Sequence, residues 1–241
     1  MNRAEYARMF EAEEKQWWYA GMRAISWSLL EKASLPPGAR ILDGGCGTGE
    51  NLVHLGKMGE AIGIDLSEEA LSLCATRGVR LVRGSVLGLP FGEGTFDLVT
   101  SFDVLYHLWV TDDRAAALEL ARVLKPGGVL LVRVPALRML WGAHDQEVQS
   151  RHRYTLSELE ALLVGAGLEV VVATYANFFL LPLLVLKRLT SRRGSDVQFL
   201  PPPVERSFRA VLALEAWLLR HTSLPLGASV FCLARKPRNP A

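Results

Sequence analysis

Between residues 39 and 134, short apolar runs alternate with longer stretches of helical character. The runs fall at 39–42, 61–64, 79–82, 96–100 and 129–134; the helical stretches lie at 48–58, 68–77 and 112–124, the last stopped by Lys125-Pro126-Gly127-Gly128. Alternation of this kind specifies a parallel sheet with helices on both faces. Two further runs, 168–174 and 228–234, are expected as a sixth and a seventh strand. A helix is expected to start at Thr155, whose hydroxyl can cap it, with Glu158 three residues on where a capping-box partner belongs.

Residues 6–30 read as one helix, or as two with a break at Gly21, and carry Trp17, Trp18 and Tyr19 side by side. Residues 177–226 form a long excursion between the sixth and seventh strands, too apolar for a disordered linker. It reads as two helices, 180–190 and 204–221, separated by a loop holding Pro201, Pro202 and Pro203.

Composition narrows the picture. A chain of 241 residues suits one large α/β domain with an elaboration. With 27 basic and 25 acidic residues, the net charge of +2 leaves no long phosphate-tracking face, so nucleic acid is not the expected partner. Half of the residues are hydrophobic, which is rich for a soluble protein and predicts apolar surface facing a ligand, a partner or a membrane. Cys46, Cys74 and Cys232 are too scattered for a disulfide framework or a zinc knuckle, so a reducing cytoplasm is the expected setting. The first 16 residues are charged and lack the apolar core of a secretory signal. The strongest apolar run, 178–186, is about half the ~20 residues of a spanning helix, and Pro182 interrupts it.

The strongest local signal is Asp43-Gly44-Gly45-Cys46-Gly47-Thr48-Gly49, which follows a strand and opens a helix. Glycines there permit positive φ and remove the Cβ atoms that would hold a ligand away from the backbone. The helix N-terminus behind them favours a carboxylate or phosphate. Asp65, at the end of the next strand, sits where doubly wound folds place a carboxylate against ribose hydroxyls. The nicotinamide pattern fails, because Glu50 or Leu52 occupies its third glycine position, and no Lys-Ser or Lys-Thr completes a Walker loop. A tight turn without a ligand is the bland alternative.

This loop, the G-I-D-L-S segment at 63–67, L-P-F at 89–91, F-D-L-V at 96–99 and L-K-P-G-G at 124–128 together resemble the class I S-adenosylmethionine-dependent methyltransferases. Their order is similar to that in the branch with the ubiquinone and menaquinone methyltransferases. The resemblance covers residues 39–135. It implies a doubly wound, Rossmann-like α/β fold: seven strands, mostly parallel with an antiparallel last strand, N-terminal helices, and a helical insertion between strands six and seven. It implies S-adenosylmethionine as cofactor, held by Asp43, Gly44, Gly45, Cys46 and Gly47, by Asp65 and Leu66, and by Phe102 and Asp103 near the sulfonium. The family usually has an acid before L-P-F to read adenine. This chain has Arg83-Gly84-Ser85-Val86 instead, so the Ser85 hydroxyl and the Val86 N–H are expected to take that contact. The resulting plan is a single domain over 1–241: a helical lid 1–35, a cofactor-binding core 36–176, a helical cap 177–226, and the last strand and tail 227–241.

Methyl transfer from a sulfonium uses an activated donor, so positioning and water exclusion supply most of the acceleration and a base is optional. His107, beyond the fourth strand, is either an acceptor-side residue or a loop-ordering histidine. Trp141-Gly142-Ala143-His144-Asp145 and Arg151-His152-Arg153-Tyr154 follow the fifth strand. With E-x-x-x-W-W at 13–18, they resemble signatures of a subset of bacterial class I methyltransferases. His144, Asp145 and His152 are open to three readings: a hydrogen-bonded staple, an acceptor or base role, and a metal site lacking an evident third ligand. His107, His144, His152 and Tyr154 are the catalytic candidates. Trp17, Trp18 and Tyr19 form either a lid over the acceptor or glue for the first helix. The apolar run before Lys187, Arg188, Arg192 and Arg193 makes 178–193 either a buried cap helix, the preferred reading, or a peripheral membrane contact. The expected activity is methylation of a small, hydrophobic or lipid-like acceptor. The alternative is a non-catalytic cofactor-binding regulatory or assembly protein.

Overall fold

A computed structural model describes residues 3–190 and 200–238. The apolar runs become β1 Ala39–Gly44, β2 Gly59–Asp65, β3 Arg80–Arg83, β4 Phe96–Phe102, β5 Leu124–Pro135, β6 Glu169–Ala176 and β7 Ser229–Arg235. They form one seven-stranded sheet in the order β3-β2-β1-β4-β5-β7-β6. The first five strands pair in parallel. β7 runs antiparallel between β5 and β6. The order in which strands are added reverses between β1 and β4, the switch point at which open α/β sheets bind ligands beyond their carboxyl ends.

The helices are α1 Arg3–Lys15, α2 Trp17–Leu30, α3 Glu50–Leu55, α4 Glu68–Ala75, α5 Asp113–Arg122, α6 Ala143–Glu147, α7 Leu156–Gly165, α8 Leu181–Thr190 and α9 Pro202–Leu219. Alternating side chains of the central strands feed two cores. Leu42, Val99, Leu130 and Val132 meet Leu120 of α5 and Leu159 and Leu163 of α7 on one face. On the other face Ile41, Leu98, Leu131 and Leu233 meet Ile25 and Leu29 of α2 and Leu212 and Leu219 of α9. Each fully buried leucine of this kind contributes about 1.5–3 kcal/mol.

Three expectations change in detail. The N-terminal helices break at Gln16, not Gly21. Gly21 lies inside α2 because a Cβ there would come within 2.1 Å of Leu212 Cδ1, so its role is to let α2 and α9 touch. Lys125-Pro126-Gly127-Gly128 does not terminate a helix; α5 ends at Arg122, and these residues are an irregularity at the start of β5, between the pairings of Phe96 and Leu98. The segment with Ala143 forms the short α6 where no helix was expected. The capping box at Thr155 and Glu158 forms as anticipated.

The excursion folds as α8 and α9. Glu215 on α9 is fully buried and accepts hydrogen bonds from the backbone N–H groups of Asn177, Phe178 (3.1 Å) and Phe179 (3.4 Å). Asn177, at φ 64°, also donates to Ser229 Oγ at 3.1 Å. This buried carboxylate fixes the entry into α8 and ties the cap to β7.

Candidate functional site

The glycine loop leaves β1 at the switch point. Gly45 has φ +85°, and a Cβ there would meet Val104 Cγ2 at 2.3 Å, so both backbone angle and space call for glycine. Asp65, at the end of β2, shapes the loop from beside it: the Gly47 N–H donates to Oδ2 at 2.9 Å and the Ser67 N–H to Oδ1 at 2.9 Å. Burial nevertheless pushes the Asp65 carboxyl above its ordinary range. At the end of β1, Asp43 is buried and accepts from Thr100 Oγ1 at 2.7 Å. Burial outweighs that hydrogen bond and pushes its carboxyl up to about 6.

These groups border a cavity of about 210 Å³. Among the expected cofactor residues Asp43, Gly45, Cys46, Gly47, Asp65, Leu66, Ser85, Val86, Phe102 and Asp103 all face it. Gly44 does not; its missing Cβ points at Leu120, 3.1 Å away. The Ser85 hydroxyl accepts from the Leu87 N–H at 3.1 Å, which stabilises the turn before L-P-F. Cys46 is buried, and a hydrogen bond with the Cys74 thiol, then burial, push its pKa up and disfavour the thiolate.

The helices expected as a lid over 1–35 reach this cavity through α1, by contacts that sequence reasoning did not specify. Tyr6, Met9 and Glu13 line it. Glu13 is buried and accepts from Thr48 Oγ1 at 2.6 Å; burial pushes its carboxyl up to about 7. Arg77 gathers the joint. Its Nε donates to the Thr48 carbonyl at 2.8 Å, its Nη1 to Glu50 at 2.6 Å and to Glu14 at 2.9 Å, and its guanidinium lies 4.3 Å from the Phe10 ring centre.

A second cavity, about 430 Å³, adjoins the first along Trp18, Tyr19, Asp103, Tyr106 and Val148, which face both. Its walls come from Trp17 and Met22 of α2, Leu183 and Leu184 of α8, and Val204 and Phe208 of α9. Trp17 packs edge-on against Phe208 with ring centres 4.8 Å apart. The aromatic cluster thus faces a ligand space and also glues α2 to α9.

The catalytic candidates separate. His107 faces the first cavity, and its Nδ1 lies 2.8 Å from the Val148 carbonyl oxygen. Burial pushes it down to about 4, so it is neutral at physiological pH. Tyr154 lies away from both cavities: its hydroxyl donates to Asp113 at 2.8 Å and lies 3.3 Å from the Leu105 carbonyl. His152 packs at a tilt against Tyr154, with ring centres 4.1 Å apart, and faces neither cavity. The side chain of His144 lies outside the described residues. Asp145 forms a two-point ion pair with Arg153, at 2.8 and 3.0 Å, and accepts from the Gly142 N–H at 2.8 Å, a staple that closes the loop below the second cavity. Among the described residues no cluster suits a metal ion.

Arg133, in the apolar run of β5, was not anticipated. It donates twice to Asp103 Oδ2, from Nε at 2.9 Å and Nη2 at 2.5 Å, and its backbone carbonyl accepts from the Asp103 N–H at 2.8 Å. This holds Asp103 at φ 58°.

The first cavity carries the carboxyls of Glu13, Asp43, Asp65 and Asp103 against one guanidinium, Arg133. An acid-rich cavity beside exposed loop backbone fits a cationic nucleoside such as S-adenosylmethionine better than a phosphorylated one.

Leu183 and Leu186 of α8, and Phe179 just before it, are exposed while Leu181 is buried. The 178–193 segment therefore is not wholly buried; Arg192 and Arg193 lie outside the described residues. No described helix is long and apolar enough to cross a membrane.

Residues 42–132 match the family model described as a methyltransferase domain. Over 155 residues the chain is 32% identical to an uncharacterized methyltransferase of Synechocystis sp., covering 59% of this chain and 72% of that one. It is 35% identical over 123 residues to the tRNA (carboxymethyluridine(34)-5-O)-methyltransferase of Arabidopsis thaliana, covering 51% of this chain and 29% of the relative. It is 37% identical over 137 residues to the demethylmenaquinone methyltransferase of Corynebacterium kroppenstedtii, 53% of this chain and 58% of the relative. The chain therefore spans less than two thirds of either of these last two proteins. Among solved structures, a Haloferax volcanii methyltransferase bound to the Trm112 methyltransferase activator shares the fold, with a TM-score of 0.65 at 19% identity over 98% of this chain and 97% of that one.

Proposed function

This chain belongs to the class I S-adenosylmethionine-dependent methyltransferases, and from that premise we propose that it moves the cofactor's methyl group onto a small, apolar acceptor bound in the second cavity. The carrying observation is the junction: an acid-rich cavity at the glycine loop and a larger, mostly apolar one share Trp18, Tyr19, Asp103 and Tyr106 as walls. The cofactor supplies a methyl already activated on a sulfonium. The residues position the partners and keep water out. Asp65 takes the ribose hydroxyls while it holds the loop, Asp43 and the backbone of Gly45 to Gly47 take the methionine portion, and Ser85 and Val86 border the adenine. Trp18, Tyr19 and Tyr106 crowd the transfer point with apolar surface.

His107 keeps the junction in shape by pinning the Val148 carbonyl, and His152 with Tyr154 joins the post-β5 loop to α5 through Asp113. The names of the relatives point two ways, to tRNA and to a quinone. A cavity walled by leucine, tryptophan and phenylalanine supports the second kind of acceptor, an apolar ring or chain.

The test is labelled S-adenosylmethionine offered with apolar phenols and quinols, amines, and bulk tRNA. Label is expected in the apolar acceptors. Label in tRNA alone, or in polar acceptors alone, would overturn the reading.

A further inference from the structure

Most of the side chains that could accept a proton at the junction are committed elsewhere. Tyr154 and His152 face neither cavity, Asp145 is spent on Arg153 and Gly142, and His107 is pinned on the cofactor side. Asp103 is different. It faces both cavities, and Arg133 places both of its donors on Oδ2 alone. No described residue donates to Oδ1, and the side chain keeps 37% of its exposure while Arg133 keeps 7%. The carboxylate is therefore gripped through Oδ2, leaving Oδ1 without a described donor on a residue that borders both cavities. The left-handed backbone of Asp103 costs free energy, tolerated best by Asn and Asp, and the Arg133 carbonyl and guanidinium together hold it there.

The charges facing this point narrow the acceptor's chemistry. Arg133 is paired with Asp103 and Arg153 with Asp145, the two carboxylates that face the second cavity. Neither carboxylate of the second cavity is left over for an ammonium group. A neutral hydroxyl on an apolar body suits both the hydrogen-bond acceptor and the walls.

Resting on the methyltransferase reading, we propose that Asp103 is a catalytic residue, its Oδ1 accepting the hydroxyl proton of a neutral, apolar acceptor, and that the enzyme is an O-methyltransferase. As the oxygen–methyl bond forms, the methyl–sulfur bond breaks and its electron pair stays on sulfur, leaving the neutral thioether. The hydroxyl proton passes to Asp103 and from there to water. Hydroxyl acceptor and sulfonium thus become methyl ether, S-adenosylhomocysteine and one proton.

The experiment reads binding first, so it needs no knowledge of the natural acceptor. With S-adenosylhomocysteine present, 4-hexylphenol and its methyl ether, 4-hexylanisole, are titrated against the protein by calorimetry. The phenol should bind about tenfold or more tightly, the advantage of a hydrogen bond to a charged group. Asp103→Ala should erase that preference while changing S-adenosylhomocysteine affinity less than threefold. With any acceptor that turns over, Asp103→Asn should lower kcat by about 10²-fold at unchanged KM for the cofactor. Equal binding of phenol and ether by the wild-type protein would overturn the proposal whether or not the variants fold. So would a preference surviving in Asp103→Ala, or a tenfold loss of S-adenosylhomocysteine affinity in a variant that still melts cooperatively. A phenol preference that depends on Asp103, with no methyl transfer to any acceptor, would sink the transferase reading and leave the Asp103 contact standing.

Discussion

Asp65 holds the N–H groups of Gly47 and Ser67 with its two oxygens, so the carboxylate that ends β2 also sets the curve of the loop leaving β1. Its removal affects both loop and ligand. Asp65→Ala is expected to weaken S-adenosylhomocysteine binding by about 1.5–3 kcal/mol, measured by calorimetry; unchanged affinity would remove Asp65 from the site. Protonation gives a second handle. Burial pushes the carboxyl of Asp43 up to about 6 and that of Glu13 up to about 7, so the cavity gains negative charge as pH rises through that window. The cationic substrate should gain affinity between pH 5.5 and 8, relative to its neutral thioether product, by up to roughly tenfold. A flat ratio across that range would mean that these carboxyls do not feel the sulfonium. The glycines, Asp43 and Asp65 were legible in the sequence because their function depends on backbone freedom and on a position at the end of a strand, both visible locally. Arg133 and Glu215 were not. Each is a lone charge in an apolar stretch, and the partner that makes burial tolerable, Asp103 or the turn at Asn177, comes from a distant element.

Among the elements, α1 is the one whose attachment is polar. Arg77 of the α4–β3 turn clasps it through Glu13, Glu14 and the Phe10 ring, with Thr48 and Glu50 on the other side. Arg77→Ala should release α1 and leave the sheet intact, seen as at least about tenfold faster amide exchange over residues 6–15 with little change in β4 and β5. The same joint should respond to pH. Because Glu13 rises from an ordinary 4.5 to about 7, its stabilising effect is complete below 4.5 and is lost as pH passes through 7. Protection factors of α1 should therefore fall between pH 6 and 8; constant factors would rule out Glu13 as the cause. Strand and helix positions in the core were readable because periodicity reports burial on a sheet face. The break at Gln16 was not, since Gly21 looks like a breaker until Leu212, almost two hundred residues later, is seen to need the space.

Over the whole molecule, the two cavities draw on different parts of the chain. The cofactor side rests mainly on β1 to β4 and the loops after them, where the recognisable motifs lie. The acceptor side is walled by α2, α8 and α9, whose sequences carry only general apolar patterning. That division explains why the cofactor could be read and the acceptor could not: walls mostly of leucine and tryptophan encode volume, and the few polar groups among them, such as Asp103 and Arg153, come together only in the fold. Cutting the chain before Ser229 should abolish cooperative melting, because β7 pairs on both sides, with β5 and with β6. A cooperative transition in such a truncation would show that β5 and β6 can close on each other.

The place of β7 also sets an order of events during synthesis. The first five strands can leave the ribosome and zip together in sequence, but the slot beside β5 waits, with β6 unmoored, for a strand translated more than fifty residues later. A nascent protein stalled in that interval would carry an open, aggregation-prone edge, so chaperone dependence should peak late in translation and vanish once the final strand slides home.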